Sequence, residues 1–555
     1  MPRRIEWTAL LAALPCCTQT ATVADTLGSA TDGTSAGIEA SSGEIEGDST
    51  ASTNADESSS DAASSSGPAV IYDVGGGDEG TGDTGVVETC DVADDLDGIS
   101  ACDVGPYPPS FEAQVQWQWD EAAGSLSTPL VANLTDDNGD GVVDLCDTPD
   151  IVIIARLFGD MMEGDGSQTE LLAFDGATGA IHWRTGKEFA FAFASTPAIG
   201  DIDGDGAAEI VAIEDEGRLI AFDGSGAVEW TSPDVFSTSS SATVALADLD
   251  ADGDVEIMSG PVIADHEGHT LVTVPAPPDN PGFAVDLDDD GDLEYVHGAG
   301  AHHHDGTPYF ELGGDVGHPQ VADLDDDGAP EIVYSTVDGV GTRLLVLRND
   351  GSVLVAGADD LAGLPAALHD IDGEGGVDIV VGRMQDGVAP VAGLSVIDFD
   401  DDDLIARWTA PTVGGCCASG TAFDFLGDAS AEALFSDDAF MFVFDADGGV
   451  LTSVPHLSPT GYEYPVVADV DNDDSAEIVF TAEGTGQPAL VVVRDADDGW
   501  VPARRIWNQH AYHVTNVRED GTIPQHQPKS WESLNTFRTQ AQRGVGGVCM
   551  PEPAG

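Results

Sequence analysis

The sequence predicts an all-β chain folded as a β-propeller of seven or eight four-stranded blades, eight favoured, behind a disordered acidic stalk. Two observations predict it. A nine-residue loop, acid-x-acid-x-acid-Gly-x-x-acid, is written eight times between about residue 130 and residue 480. Around it the same strand order recurs at intervals of about 37 to 65 residues, most of them near 45. In the clearest copy, Thr196 to Ile199 enters the loop, Glu209 to Ile213 leaves it, Arg218 to Phe222 follows, and Asp223-Gly-Ser-Gly226 turns into Ala227 to Trp230. Four short antiparallel strands repeated at that period form a propeller blade.

From the N-terminus, Arg3 and Arg4 precede a short apolar run, Trp7 to Leu14, and then Cys16-Cys17. This is the pattern of a bacterial export signal over 1–17, with a candidate lipid-accepting cysteine, although Glu6 and Pro15 depart from it. An exported protein at the outer membrane, the cell surface or beyond is expected, anchored by lipid or released. No later stretch has the ~18 uninterrupted apolar residues of a membrane-spanning helix. Residues 18–110 are rich in Ser, Thr, Gly, Ala, Asp and Glu, and no Lys or Arg occurs between Arg4 and Arg156. Such a segment buries too little apolar surface to offset its ordering entropy, so a disordered, self-repelling stalk is expected.

The folded region is expected over 111–509, with a cap or tail over 510–555. It opens on Ala113 to Trp119, where Val115, Trp117 and Trp119 alternate with glutamines as in a half-buried strand. Both this strand and Trp500 to Trp507 read as a fourth strand for the last blade, and only one can close the ring.

Carboxylates at alternate positions of a tight turn can converge on one hard cation, and Gly at the sixth position supplies a left-handed backbone. The eight copies start at Asp136, Asp201, Asp248, Asp286, Asp323, Asp370, Asp424 and Asp469. The seventh keeps Asp424, Asp428 and Glu432 but has Leu426 and Ala429 in place of an acid and Gly, so poor or no metal binding is expected there. In the eighth, Asp474 replaces Gly, and a competent but strained site is expected. An EF-hand is set aside because its last ligand stands at position twelve, which in the second loop is Ala212.

These Asp-x-Asp-x-Asp-Gly loops leading into strands resemble the FG-GAP/VCBS repeats of integrin-α-like propellers. The closing segments, Tyr464 to Asp471 and Trp500 to Val517, resemble large VCBS-repeat proteins of myxobacteria-like Gram-negative bacteria. The resemblance implies structural Ca2+ held by loop positions one, three, five and nine through side chains and seven through a backbone carbonyl. Carried over, the ligands are Asp136, Asn138, Asp140 and Asp144; Asp201, Asp203, Asp205 and Glu209; Asp248, Asp250, Asp252 and Glu256; and Asp286, Asp288, Asp290 and Glu294. The later loops add Asp323, Asp325, Asp327 and Glu331; Asp370, Asp372, Glu374 and Asp378; and Asp469, Asp471, Asp473 and Glu477. It also implies a cell-surface, adhesion-type or carbohydrate-associated module.

Composition bounds the partners. The chain carries 102 acids against 17 Lys and Arg, a formal charge of −85. That excludes a generic nucleic-acid binder, which needs bases to displace the counterions of phosphate. A surface glycan or protein is the expected partner, and a monomer the expected state. Six cysteines beyond the signal (Cys90, Cys102, Cys146, Cys416, Cys417 and Cys549) point to disulfides, whose pairing the sequence leaves open. His302-His303-His304 with His297 reads as a turn, because successive strand residues face opposite ways. The bases Arg504, Arg505, Arg518, Lys529, Arg538 and Arg543, with Trp507, His510, Tyr512 and Trp531, read as a cap over the last blade or a surface for an anionic sugar or the stalk. No Gly-x-Ser-x-Gly elbow, His-Glu-x-x-His pair or phosphate-cradling Gly loop occurs. The phrase Phe174-Asp-Gly-Ala-Thr-Gly179…Trp183 resembles quinoprotein propeller repeats but supplies no cofactor-binding residue. The leading expectation is a calcium-binding module with no catalytic residues. The alternatives are a propeller enzyme, such as a polysaccharide lyase or quinoprotein-like oxidoreductase, and a scaffold without ligand.

Overall fold

In the computed structural model, eight four-stranded antiparallel sheets succeed one another along the chain. The structure describes residue 90, residues 99–102 and residues 110–551, with interruptions at 158–168, 187–188, 193, 240, 279–281, 314–316, 339–340, 358–364, 384–392, 401–402, 413–418, 459–462, 484–485 and 545–546. The signal segment, most of the acidic stalk and the Cys416-Cys417 pair lie outside the described residues.

Blade 2 shows how the sequence makes each sheet. Its first strand, Ala198–Gly200, is only three residues long and fully buried beside the ring axis. Glu209–Ile213 and Leu219–Phe222 are buried on both faces, as their unbroken apolar runs require. The fourth strand, Val228–Thr231, is exposed along most of its length. Blade 1 uses Leu130–Ala132, Asp150–Arg156, Thr169–Asp175 and Ile181–Arg184, and Gly124–Ser125 pairs on its second strand beside the first. Blades 3 to 7 repeat the pattern through Val450–Pro455. Blade 8 takes Val466–Ala468, Glu477–Thr481 and Leu490–Asp495 from the end of the chain, and its fourth strand is Ala113–Trp119 from the beginning. That strand pairs antiparallel with Leu490–Asp495 and closes the ring. The competing segment, Trp500 to Trp507, lies elsewhere.

Neighbouring blades are stitched by one device. In blades 1, 2, 3, 5 and 7 the turn between the third and fourth strands bears a Gly with positive φ, and an aromatic from the preceding blade's outer strand lies on it; in blade 4 Val272 takes that place. At Gly226 (φ +80°) an added Cβ would come within 2.5 Å of the Trp183 ring. The Trp183 indole N–H donates to Gly224 O at 2.8 Å. Trp117 of the closing strand does the same for blade 1, donating to Gly176 O at 2.6 Å. The Phe-Asp-Gly…Gly…Trp phrase in the sequence is this turn and its stitch.

The segment after blade 8 corrects the expected cap over one blade. Trp507 exchanges backbone hydrogen bonds with Val131 of blade 1, at 2.8 and 3.0 Å. From Gly521 onward the chain makes a circuit inside the ring. Gly521 O accepts from Asp201 N in blade 2 at 2.9 Å. Gln525 reaches Ala251 O in blade 3, Gln527 reaches Ala284 O in blade 4, and Asn535 grips the backbone of Asp323 in blade 5. Phe537 bonds Leu368 in blade 6, Arg538 O accepts from Thr421 in blade 7, and Gln540 reaches Val467 O in blade 8. Three of the six bases in this C-terminal segment, Arg504, Arg505 and Arg538, are internal. Arg504 and Arg538 are fully buried, and Arg505 pairs with buried Glu519 at 2.9 Å.

Two disulfides fasten the ends. Cys102 pairs with Cys549, and Ser100–Ala101 runs parallel to Gly547–Met550 beside it. Cys90 pairs with Cys146 in the first loop. Thus the described residues of the expected stalk are tied to the body. Among the described residues, no helix is long and apolar enough to cross a membrane.

Candidate metal centres

Each acidic loop joins the first and second strands of a blade. In the second loop, Gly204 N and Gly206 N donate to the two oxygens of Asp201 at 2.8 and 3.1 Å, and Ala207 N donates to Asp205 Oδ1 at 2.9 Å. Glu209 opens the second strand and turns one oxygen back to Ile202 N, at 2.9 Å. The same clasp recurs at Glu256 on Leu249, Glu294 on Leu287, Glu331 on Leu324, Asp378 on Ile371, Glu432 on Phe425 and Glu477 on Val470. The sixth residue has positive φ in all eight loops, from +89° to +98° at the six glycines (Gly141, Gly206, Gly253, Gly291, Gly328 and Gly375) and +70° and +66° at Ala429 and Asp474. A shared left-handed turn at that place explains the Gly.

One atom each from Asp201, Asp203 and Glu209 lies within 4.8 Å of the others, close enough to hold a metal ion. In the eighth loop, Asp471 Oδ1 and Glu477 Oε1 are buried with no hydrogen-bond partner. Orphaned buried carboxylate oxygens are costly unless a cation or proton meets them. The residues present therefore fit a hard dication.

Electrostatics agree. Burial raises the ninth-position carboxyls, against the pull of their backbone clasp and with further push from neighbouring acids. Glu209 and Glu256 rise to about 8, Glu331 to about 7 and Glu432 to about 9. Asp378, raised to about 8 by burial, hydrogen-bonds Asp398 as well. Without a cation these groups would rather be protonated at neutral pH.

The loops differ in what already neutralises them. Among the described residues, the second and third loops make no ion pair to Lys or Arg. In the fourth, Lys529 of the strap reaches Asp289 at 2.6 Å and Asp286 at 3.5 Å. In the sixth, Arg407 binds Asp372 and holds Asp398 at 2.8 Å. In the eighth, Arg543 pairs with Asp474 and lies 3.6 Å from Asp469. In the seventh, Gln542 donates to Asp424 Oδ2 at 3.0 Å, and Leu426 contributes no ligand atom.

The first loop departs most from expectation. Asp136, Asn138, Asp140 and Asp144 form the turn, with Gly141 N on Asp136 Oδ2 at 2.9 Å and Val142 N on Asp140 Oδ1 at 2.9 Å. The clasp on the second residue, however, comes from Asp147 at position twelve. Its Oδ1 accepts from Asp137 N at 3.0 Å and Asn138 N at 3.1 Å, and its Oδ2 from Asp144 N at 2.9 Å. This copy is a twelve-residue loop of EF-hand type, set on an insertion and fastened through Cys146. The blade's own clasp is Asp150, whose Oδ2 accepts from Leu134 N at 2.9 Å. Sequence reasoning missed both residues. The acid at position twelve was the available signal, hidden because the second loop set the pattern.

The histidine run divides as strand geometry requires. His297 Nε2 and His302 Nδ1 face each other at 2.9 Å in the buried layer, while His303 Nδ1 bonds Glu294 Oε1 at 2.9 Å. Burial, with His302 beside it, pushes His297 down to about 3 and keeps it neutral.

The chain is thus an eight-bladed propeller carrying an FG-GAP-like repeat, whose family model matches residues 201–259, from the second loop to the second strand of blade 3. Among solved structures it is similar to the V. cholerae biofilm matrix protein Bap1, with a TM-score of 0.69 and 19% identity over 80% of this chain and 100% of that one. It is more distantly similar to the Bacillus licheniformis rhamnogalacturonan lyase PL11 (TM-score 0.47, 17% identity, 81% of this chain and 84% of that one). A quinohemoprotein alcohol dehydrogenase from Comamonas testosteroni follows (TM-score 0.43, 14% identity, 69% and 76%). No curated protein matches by sequence.

Proposed function

We propose that this protein is an exported, calcium-stabilised propeller that serves as a binding module at the cell surface or in an extracellular matrix, with a glycan or protein as ligand. The observation that carries the calcium reading is the convergence of Asp201, Asp203 and Glu209 in the second loop, with partnerless buried oxygens at Asp471 and Glu477 in the eighth. The bound ion supplies the positive charge that lets these acids share one turn. The chain's own residues do the rest: backbone N–H groups orient the first and fifth acids, and the ninth acid ties the loop to its blade.

The two disulfides support export, because such bonds persist in oxidising compartments. A matrix role is in keeping with the described fold, which Bap1 shares. The strap bonds first strands and loops around the ring, so the ligand is expected at the opposite end or on the outer strands. The calcium-loaded full chain, applied to a glycan array and to matrix proteins, should show saturable binding that EGTA abolishes. Unsaturated uronate product from pectic polysaccharide, with no saturable binding, would replace this reading by that of a lyase.

A further inference from the structure

Blade 1 holds a second cluster beside its twelve-residue loop, built from different side chains of the same stretch. His182 stands on the fourth strand, one residue past the bulge where Ile181 pairs with Phe174. The same register places Glu229 in blade 2, where Val228 pairs with Phe222, and Arg407 in blade 6, where Ala406 pairs with Ile397. From this position Arg407 reaches its loop with its own charge. His182 instead brings an imidazole nitrogen to three carboxylates.

Its Nε2 lies 3.4 Å from Asp150 Oδ1, 3.6 Å from Asp137 Oδ1 and 3.9 Å from Asp175 Oδ2. None of these is a hydrogen bond, which would draw one oxygen in to about 2.8 Å. The two shorter distances suit an ion between the imidazole, Asp150 and Asp137; one atom each of Asp137, Asp175 and His182 lies within 4.8 Å of the others, and Thr135 Oγ1 also donates to Asp150 Oδ1 at 3.2 Å. Tetrahedral bonds of about 2.0–2.2 Å to N and O set ligand atoms about 3.3–3.6 Å apart. At His303, by contrast, the nitrogen is already hydrogen-bonded to Glu294 at 2.9 Å.

A second observation lies next to Asp150 in the blade's register. Leu134 N donates to Asp150 Oδ2 as Ile202 N does to Glu209 Oε2, so Asn133 occupies the position of the first acid of the other loops. Asn133 is 7% exposed, and neither its amide oxygen nor its amide nitrogen has a partner. Asp150 is fully buried, while His182 keeps 24% of its side chain exposed, which leaves an entry path.

We propose that His182, Asp137, Asp150 and Asp175 bind one borderline transition-metal dication of the zinc class, distinct from the calcium sites, with the partnerless Asn133 at the base of the Asp150 clasp. An imidazole among three carboxylates suits Zn2+, whereas Ca2+ takes oxygen alone. Alternate residues of one turn thus serve two ions: Asp136, Asn138 and Asp140 face the twelve-residue loop, and Asp137 faces His182.

The test uses the full chain, stripped with EDTA and dialysed against excess Ca2+ with one to three equivalents of Zn2+. Bound metals are counted by plasma mass spectrometry, and affinity is measured by calorimetry with Zn2+ as the titrant. Wild type should retain one zinc per chain. His182→Ala should lose it while its calcium count and calcium-loaded Tm stay unchanged, and Asp175→Asn should bind zinc at least tenfold more weakly. With Co2+ in place of Zn2+, wild type should show the visible absorption of a four-coordinate site and His182→Ala should not. No zinc retained against calcium, or equal retention by His182→Ala, would overturn the proposal and leave His182 as a polar neighbour of three carboxylates.

Discussion

At the scale of single residues, the ninth acid of the second to eighth loops carries most of the design. It is buried, it clasps the backbone of the second loop residue, and it shares its space with other acids. Glu209, Glu256 and Asp378, held up at about 8, bind a proton when folded that they shed at pH 4.5 and above when unfolded. A raised folded pKa contributes stability that is whole below the unfolded value and lost as pH climbs through the folded one. Metal-free protein should therefore lose stability between about pH 4.5 and pH 8, because protons alone neutralise the loops. Under the proposed calcium reading the ion takes the place of those protons, so its effect should run the other way. Thermal unfolding with calcium and with EGTA should differ little at pH 5 and by many degrees at pH 8. A calcium increment in Tm equal at both pH values would show that these carboxyls are not its ligands.

At the scale of elements, the strap turns eight sheets into one body. Its hydrogen bonds fall on the short first strands or their loops, where the blades have spare backbone groups near the axis. Trp507, fully buried and stacked on Tyr512 with ring centroids 4.5 Å apart, anchors its start. Replacing Trp507 with Ala should cost about 3–5 kcal/mol. Because the strap visits every blade, hydrogen exchange should quicken on the first strands all round the ring. Faster exchange confined to blade 8 would restore the simpler picture of a cap. The strap was illegible in the sequence for a physical reason: its residues follow no periodicity, since it crosses the strands and bonds through Gln, Asn and backbone groups to partners hundreds of residues away.

At the scale of the whole molecule, closure depends on one strand. Ala113–Trp119 completes blade 8 and lends Trp117 to the turn of blade 1, so it fastens the last blade to the first in two ways. The Cys102–Cys549 bond, bridging 447 residues of sequence, fastens the same seam covalently. Deleting residues 113–119 would leave Leu490–Asp495 as an unpaired edge, a template for pairing with another chain. The variant should elute as oligomers or aggregate on size-exclusion chromatography. A monomer with unchanged Tm would mean that the strap alone holds the ring.

The repeat in the sequence determined the blade and the loop, because each is local: alternate acids, a left-handed sixth residue and β-branched runs act within a few dozen residues. Which strand closes the ring, where the basic tail runs, that Asp147 completes the first loop, and that His182 meets Asp137, Asp150 and Asp175 were decided only by tertiary structure. Those contacts join residues whose separation along the chain bears no relation to their distance around a closed ring, so no local pattern could record them.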